Sequence, residues 1–176
     1  MSRQLAYRTS LVAVVSAAVI VGASTAAPAR DSATVVRGDV APYTTTRAGV
    51  VADSGVTGKA MIVTPAGSDH SIVRIRAQGL EPGHNYGVHV HFGACRQYKG
   101  HFQYQSPGPV TRDNEIWLDL QANPAGRARD QVKVLRLDDE GPLSLVIHAL
   151  SNPDLAPGQP GHPGARIACA DLDAHS

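Results

Sequence analysis

The chain has 176 residues, 43% of them hydrophobic and 18% charged, with a formal net charge of +1. That length and apolar share suit one globular domain with a real core. A near-neutral chain with no basic patch and no aromatic-interleaved run of Lys and Arg excludes the charge signature of a nucleic-acid binder.

Residues 1–29 read as a secretory signal peptide, not as part of the fold. Arg3 and Arg8 make a basic start, and Leu11 to Gly22 is an apolar run too short for a comfortable membrane span. Ala27-Pro28-Ala29 or Ser24-Thr25-Ala26 fits the cleavage site. The mature chain would carry a net charge of about −1, act outside the cytoplasm and have no membrane segment. Export also sets the reading of Cys95 and Cys169. Two cysteines in an oxidising compartment read as one intrachain disulfide. It would close a loop of about 75 residues and contribute around 4 kcal/mol. The other reading is two buried thiols.

Residues 30–56 are rich in Ala, Thr, Val and Ser. Thr34-Val35-Val36 and Gly49-Val50-Val51 read as short strands or a loose tail, so this segment is expected to be partly ordered ahead of a β domain over 57–176. Lys59 to Thr64 reads as a strand stopped by Pro65-Ala66-Gly67. From Ile72 to Gln78, Val73, Ile75 and Ala77 alternate with polar residues, which predicts a half-buried antiparallel strand.

Gly79 to Tyr104 is the chemically dense stretch, with four of the eight histidines and one cysteine. In Gly87-Val88-His89-Val90-His91-Phe92 the alternation puts Val88, Val90 and Phe92 on one face and His89 and His91 on the other. Two residues of strand span about 6.6 Å, so both imidazoles can reach one ion from the same side. His101 follows ten residues after His91. On its own, such a histidine pair is weak evidence for metal. Further strands are expected over Glu115–Leu120, Val132–Leu137 and Leu143–His148, and Gly164–Cys169 begins a last one after a Pro/Gly-rich loop at 151–165. His148 falls on the face opposite Leu143, Leu145 and Ile147. Short strands at regular spacing, with no sustained helical period, predict an all-β sandwich or barrel.

Five pieces in this order resemble the Cu/Zn superoxide dismutases over roughly residues 57–172. They are Gly87-Val88-His89-Val90-His91, Cys95, Gly100-His101-Phe102, Val146-Ile147-His148-Ala149 and Gly164-Ala165-Arg166-Ile167-Ala168-Cys169. The resemblance implies an eight-stranded antiparallel Greek-key sandwich or flattened barrel, of immunoglobulin-like architecture, with long loops at the site. It implies one copper held by His89, His91, His101 and His148, and a disulfide between Cys95 and Cys169. It gives catalytic roles to two residues. Arg166 would guide the superoxide anion, and His101 would leave the reduced copper and carry a proton to the peroxide product. The chemistry agrees, because copper cycles by one electron, zinc does not, and imidazole suits copper.

The chain departs from the two-metal pattern after His101. Residues 102–118 contain no His and no Cys, and only Asp113 and Glu115 offer oxygen, so a zinc site is not expected there. The far nitrogen of His101 then needs another partner, and Asp113, Glu115 and Asp154 are the candidates. His70, His84 and His175 read as loop, turn and tail residues, while His162 lies in the Pro/Gly loop that borders the site. The expected activity is dismutation of superoxide to oxygen and hydrogen peroxide by an exported, copper-only enzyme. The rival is a non-catalytic exported copper carrier that uses the same four histidines. The resemblance leaves a homodimer open.

Overall fold

A computed structural model of the chain describes residues 32–137, 141–152 and 163–172. The expected signal peptide, Asp154, His162 and His175 lie outside the described residues. Eight strands are present: β1 Thr34–Pro42, β2 Thr57–Thr64, β3 His70–Gln78, β4 Asn85–Phe92, β5 Trp117–Gln121, β6 Arg127–Leu135, β7 Leu143–His148 and β8 Arg166–Leu172. The described residues contain no α-helix, only a 3-10 turn at Cys95–Gln97.

All strand pairs are antiparallel, in the order β5-β4-β7-β8-β1-β2-β3-β6. The two ends of that order approach each other, where the Asp119 amide of β5 donates to Asp130 Oδ2 of β6 at 2.8 Å. The result is a nearly closed, flattened barrel, which is the expected all-β class. β1 joins its two halves. It pairs with β2 from Thr34 to Val40 and with β8 at Ala41 and Pro42.

Alternation explains most of the core. Val73, Ile75 and Ala77 of β3, Val88 and Val90 of β4, Leu118 and Leu120 of β5, and Leu145 and Ile147 of β7 meet in one apolar cluster. Each large aliphatic side chain in it contributes roughly 1.5–3 kcal/mol through burial.

Several strands differ from their expected extents. The loosely read segment 30–56 supplies all of β1, which is hydrogen-bonded on both sides. Its Gly38 and Pro42 hid it, because both residue types are depleted in strands. β6 begins at Arg127, ahead of the expected Val132, because its first half alternates charge with small residues instead of apolar ones. Its partner β3 specifies it through the register Gln78↔Arg127 to His70↔Leu135. β8, expected to begin at Gly164, begins at Arg166 and runs to Leu172. His70, expected in a loop, is the first residue of β3.

The same alternation brings cations together that are scattered in sequence. The outward positions of β1, β2, β3 and β6 carry Arg37, Lys59, Arg74, Arg76, Arg127 and Arg129 in one cluster, with Lys133 further along β6. The linear sequence shows no basic patch, but the register builds one.

Candidate metal centre

β4 and β7 are adjacent, and both are buried on both faces. Their inner faces carry core aliphatics. Their outer faces carry His89, His91 and His148, which are 0%, 2% and 3% exposed. The fourth histidine arrives by a fold-back. The chain leaves β4 and returns beside it, so that the Phe92 amide donates to the Gly100 carbonyl at 3.1 Å and the Phe102 amide to the Val90 carbonyl at 2.8 Å. Phe102 is buried in the core between Phe92 and Tyr104, and it anchors the return. His101, one residue before it, therefore faces His91. One ring nitrogen from each of His89, His91, His101 and His148 lies within 4.8 Å of the others.

The outer hydrogen bonds decide which nitrogen of each ring looks inward. Asn152 donates its amide to the Leu118 carbonyl at 2.9 Å and to Asp119 Oδ1 at 2.8 Å, so its Oδ1 is free to accept. His89 Nε2 donates to that oxygen at 2.5 Å. His91 Nδ1 donates to the Lys99 carbonyl at 2.9 Å, and His148 Nδ1 to the Gly164 carbonyl at 3.1 Å. His101 Nδ1 lies 3.2 Å from His89 Nδ1 and 2.7 Å from Glu115 Oε2, and it gives its proton to the nearer, charged acceptor. With those protons placed outward, Nδ1 of His89 and Nε2 of the other three present bare lone pairs to one point. His89 Nδ1 and His101 Nε2 are 2.9 Å apart, and Nε2 of His91 and His148 are 3.3 Å apart. Four lone pairs at that range repel unless a cation lies between them. Ligand bonds of about 2.0–2.1 Å give nitrogen–nitrogen edges of about 2.9–3.4 Å, so the donor set fits a metal ion.

Burial pushes His89 down to about 2 and His148 down to about 4, and it holds His91 well below the usual imidazole range. These three rings are therefore neutral and ready to ligate across ordinary pH. Burial pulls Glu115 upward, but hydrogen bonds from His101, Gln103 and Trp117 outweigh it and hold the carboxyl below its ordinary value. The His101 side chain is 17% exposed, so of the four imidazoles it is the one that solvent reaches most.

Of the two expected partners of His101 among the described residues, Glu115 is the one in contact, while Asp113 is exposed. Cys95 and Cys169 form the disulfide, with Cα atoms 5.9 Å apart. It ties the turn after β4 to β8, whose first residue is Arg166. Arg166 is half-buried and donates Nη2 to the Lys99 carbonyl at 2.7 Å, the same oxygen that fixes His91. His101, His148, Arg166, Arg47 and Tyr98 line a hollow of about 680 Å³. Tyr43 lies beside it, and burial pushes its phenol up to about 12 despite the nearby Arg166. His84 is not part of the site. It contacts the Ala149 carbonyl at 3.0 Å and ties the turn before β4 to the end of β7.

Two supports were not foreseen. Asn152 lies in a Pro/Gly-rich stretch with no pattern to mark it. Trp117 stacks on His89, with ring centroids 5.1 Å apart and planes within 6°, and it donates Nε1 to Glu115 at 2.8 Å. Gly87 makes room for Asn152, because a Cβ at Gly87 would stand 2.5 Å from the Asn152 oxygen.

A flattened all-β barrel with four convergent imidazoles, three on the outer faces of two neighbouring strands and one on the fold-back beside them, defines a β-barrel protein with a candidate metal site. The chain is similar to a SOD-like protein from Bacillus subtilis, at 17% identity and a TM-score of 0.56, over 77% of this chain and 97% of that one. A double mutant of a SOD-like protein from Bacillus subtilis is similar at 20% identity and a TM-score of 0.52, over 77% and 95%. No protein-family profile and no curated protein matches the chain. At these identities the likeness shows the fold, and the fold is SOD-like. Among the described residues no helix is long and apolar enough to cross a membrane.

Proposed function

We propose that this chain is a copper-only superoxide dismutase that works outside the cytoplasm. One observation carries the reading: four imidazoles present lone pairs to one point, and the solvent-reached one lies in a hollow beside Arg166. The disulfide and the signal-like start support export.

A bound copper ion supplies the one-electron cycling that the disproportionation needs. One superoxide gives up an electron and leaves as oxygen; a second takes an electron and two protons and leaves as hydrogen peroxide. Arg166 attracts the anion, and its bond to the Lys99 carbonyl fixes the guanidinium at the mouth of the hollow. His89, His91 and His148 are locked by their outer partners and stay in place. His101 is free to hold and release a proton at Nε2 while Glu115 keeps Nδ1 oriented. That carboxylate takes the nitrogen a second metal would need, which favours copper alone over a copper–zinc pair.

The test is metal content by mass spectrometry on purified mature protein, with superoxide dismutation assayed on the same sample. One copper, no zinc and rapid turnover are expected. One copper without turnover would replace the enzyme by an exported copper carrier. Zinc beside copper would end the copper-only reading. Arg166→Ala is expected to keep the metal, slow the reaction and flatten its salt dependence. An unchanged salt profile would remove Arg166 from the guiding role.

A further inference from the structure

The outward face of β1, β2, β3 and β6 is strongly basic, although the whole chain has a net charge of only +1. The register sets the pattern. Lys59 faces Arg76, and Arg76 faces Arg129, in one row across three strands. Arg74 stands in the next row, and Arg37 pairs with Met61 in that row. Arg127 closes the lower edge opposite Gln78. Against these six cations the face offers one carboxylate, Asp39, which forms an ion pair with Lys59. Asp130 borders the face, but its oxygens accept from the Asp119 and Gln131 amides at 2.8 Å each. Arg37, Arg74, Arg76, Arg127 and Arg129 have no carboxylate partner among the described residues.

These cations line two adjoining hollows of about 960 and 980 Å³, which share Asp39, Lys59, Arg76 and Arg129. Four strands spaced by about 4.8 Å spread the charge over roughly 14 Å, far more than one small anion can span. Five of the six cations are Arg, whose planar fork matches phosphate oxygens in pairs. Neither hollow has an aromatic side chain in its lining. Bases would find nothing to stack on, and a bilayer would find no interfacial aromatic.

We infer that this face binds an extended phosphate-bearing polymer without bases. The metal centre lies on the other half of the barrel, on the outer faces of β4 and β7, so a polymer held here leaves the hollow at His101 and Arg166 open. The inference does not depend on the metal or on the activity.

The test is binding of the full mature protein to linear inorganic polyphosphate, followed by calorimetry at about 50 and 200 mM salt. Binding is expected to weaken about threefold over that range for each phosphate contact. Arg74→Gln with Arg76→Gln is expected to lower affinity at least tenfold and to reduce the salt slope by about 2. Arg96→Gln with Lys99→Gln removes the same charge from exposed positions on the metal-site half, and it is expected to leave affinity within about twofold. No binding at the lower salt overturns the inference, and so does equal weakening by both double variants. Tighter binding to single-stranded DNA, or to vesicles of anionic lipid, assigns the face to that partner instead and also overturns it.

Discussion

The two halves of this barrel follow the same two-residue period and put it to opposite uses. On β1, β2, β3 and β6 the outward positions carry a cluster of wet cations, most of them without a carboxylate partner among the described residues. On β4 and β7 the outward residues are imidazoles covered by loops, and every ring has a named outer partner. A buried polar group must be hydrogen-bonded, while an exposed one need not be. The covered half is therefore a network whose members depend on one another. The wet half is a set of nearly independent charges.

Four measurements would break or sharpen that contrast. His148→Ala should have the largest effect. It removes one of the four convergent imidazoles, so metal affinity should fall by more than the roughly 10–100-fold cost of losing an outer partner. A chelator competition that shows unchanged affinity would remove His148 from the site. Glu115→Gln should come next, with a loss in that range of about 10–100-fold, because His101, Gln103 and Trp117 all depend on its charged oxygens. Wild-type affinity would mean that the carboxylate does not orient His101.

The third measurement is the stability of the metal-free protein against pH. His89, His91 and His148 stay unprotonated in the folded chain well below an imidazole's ordinary value near 6.5. The unfolded chain binds those protons first, so stability should fall as pH drops below about 6.5. For His148 the loss should continue to about pH 4 and for His89 to about 2. Each buried ring contributes up to about 1.4 kcal/mol per pH unit. Denaturant melts at pH 7.5 and 5.5 should show it, and equal midpoints would contradict neutral burial. The smallest effect belongs to the wet half. Arg74→Gln should change stability by less than about 0.5 kcal/mol in the same melts. A larger loss would mean that this face is also a coupled network.

The contrast also explains what the sequence disclosed. β3 and β4 were legible because apolar residues alternate with polar ones over most of the strand, and β7 because Leu143, Leu145 and Ile147 recur on one face. The four histidines, Arg166 and the cysteine pair could be named because short local motifs carry them. Glu115 stood among three candidates for His101, and only the fold-back of the chain placed it against the ring. Asn152 and Trp117 reach His89 from other segments of the chain, so no local spacing encodes them. The basic face was hidden for the same reason. Its cations lie in four strands, and their proximity is a property of register between strands.

Trp117 is the chain's one tryptophan, and it lies flat against His89. Its emission therefore originates beside the four-histidine cluster and nowhere else in the molecule. A paramagnetic ion held by His89 should quench that light, and a closed-shell ion should not. Fluorescence can thus follow loading, and separate the two kinds of ion, with no label attached.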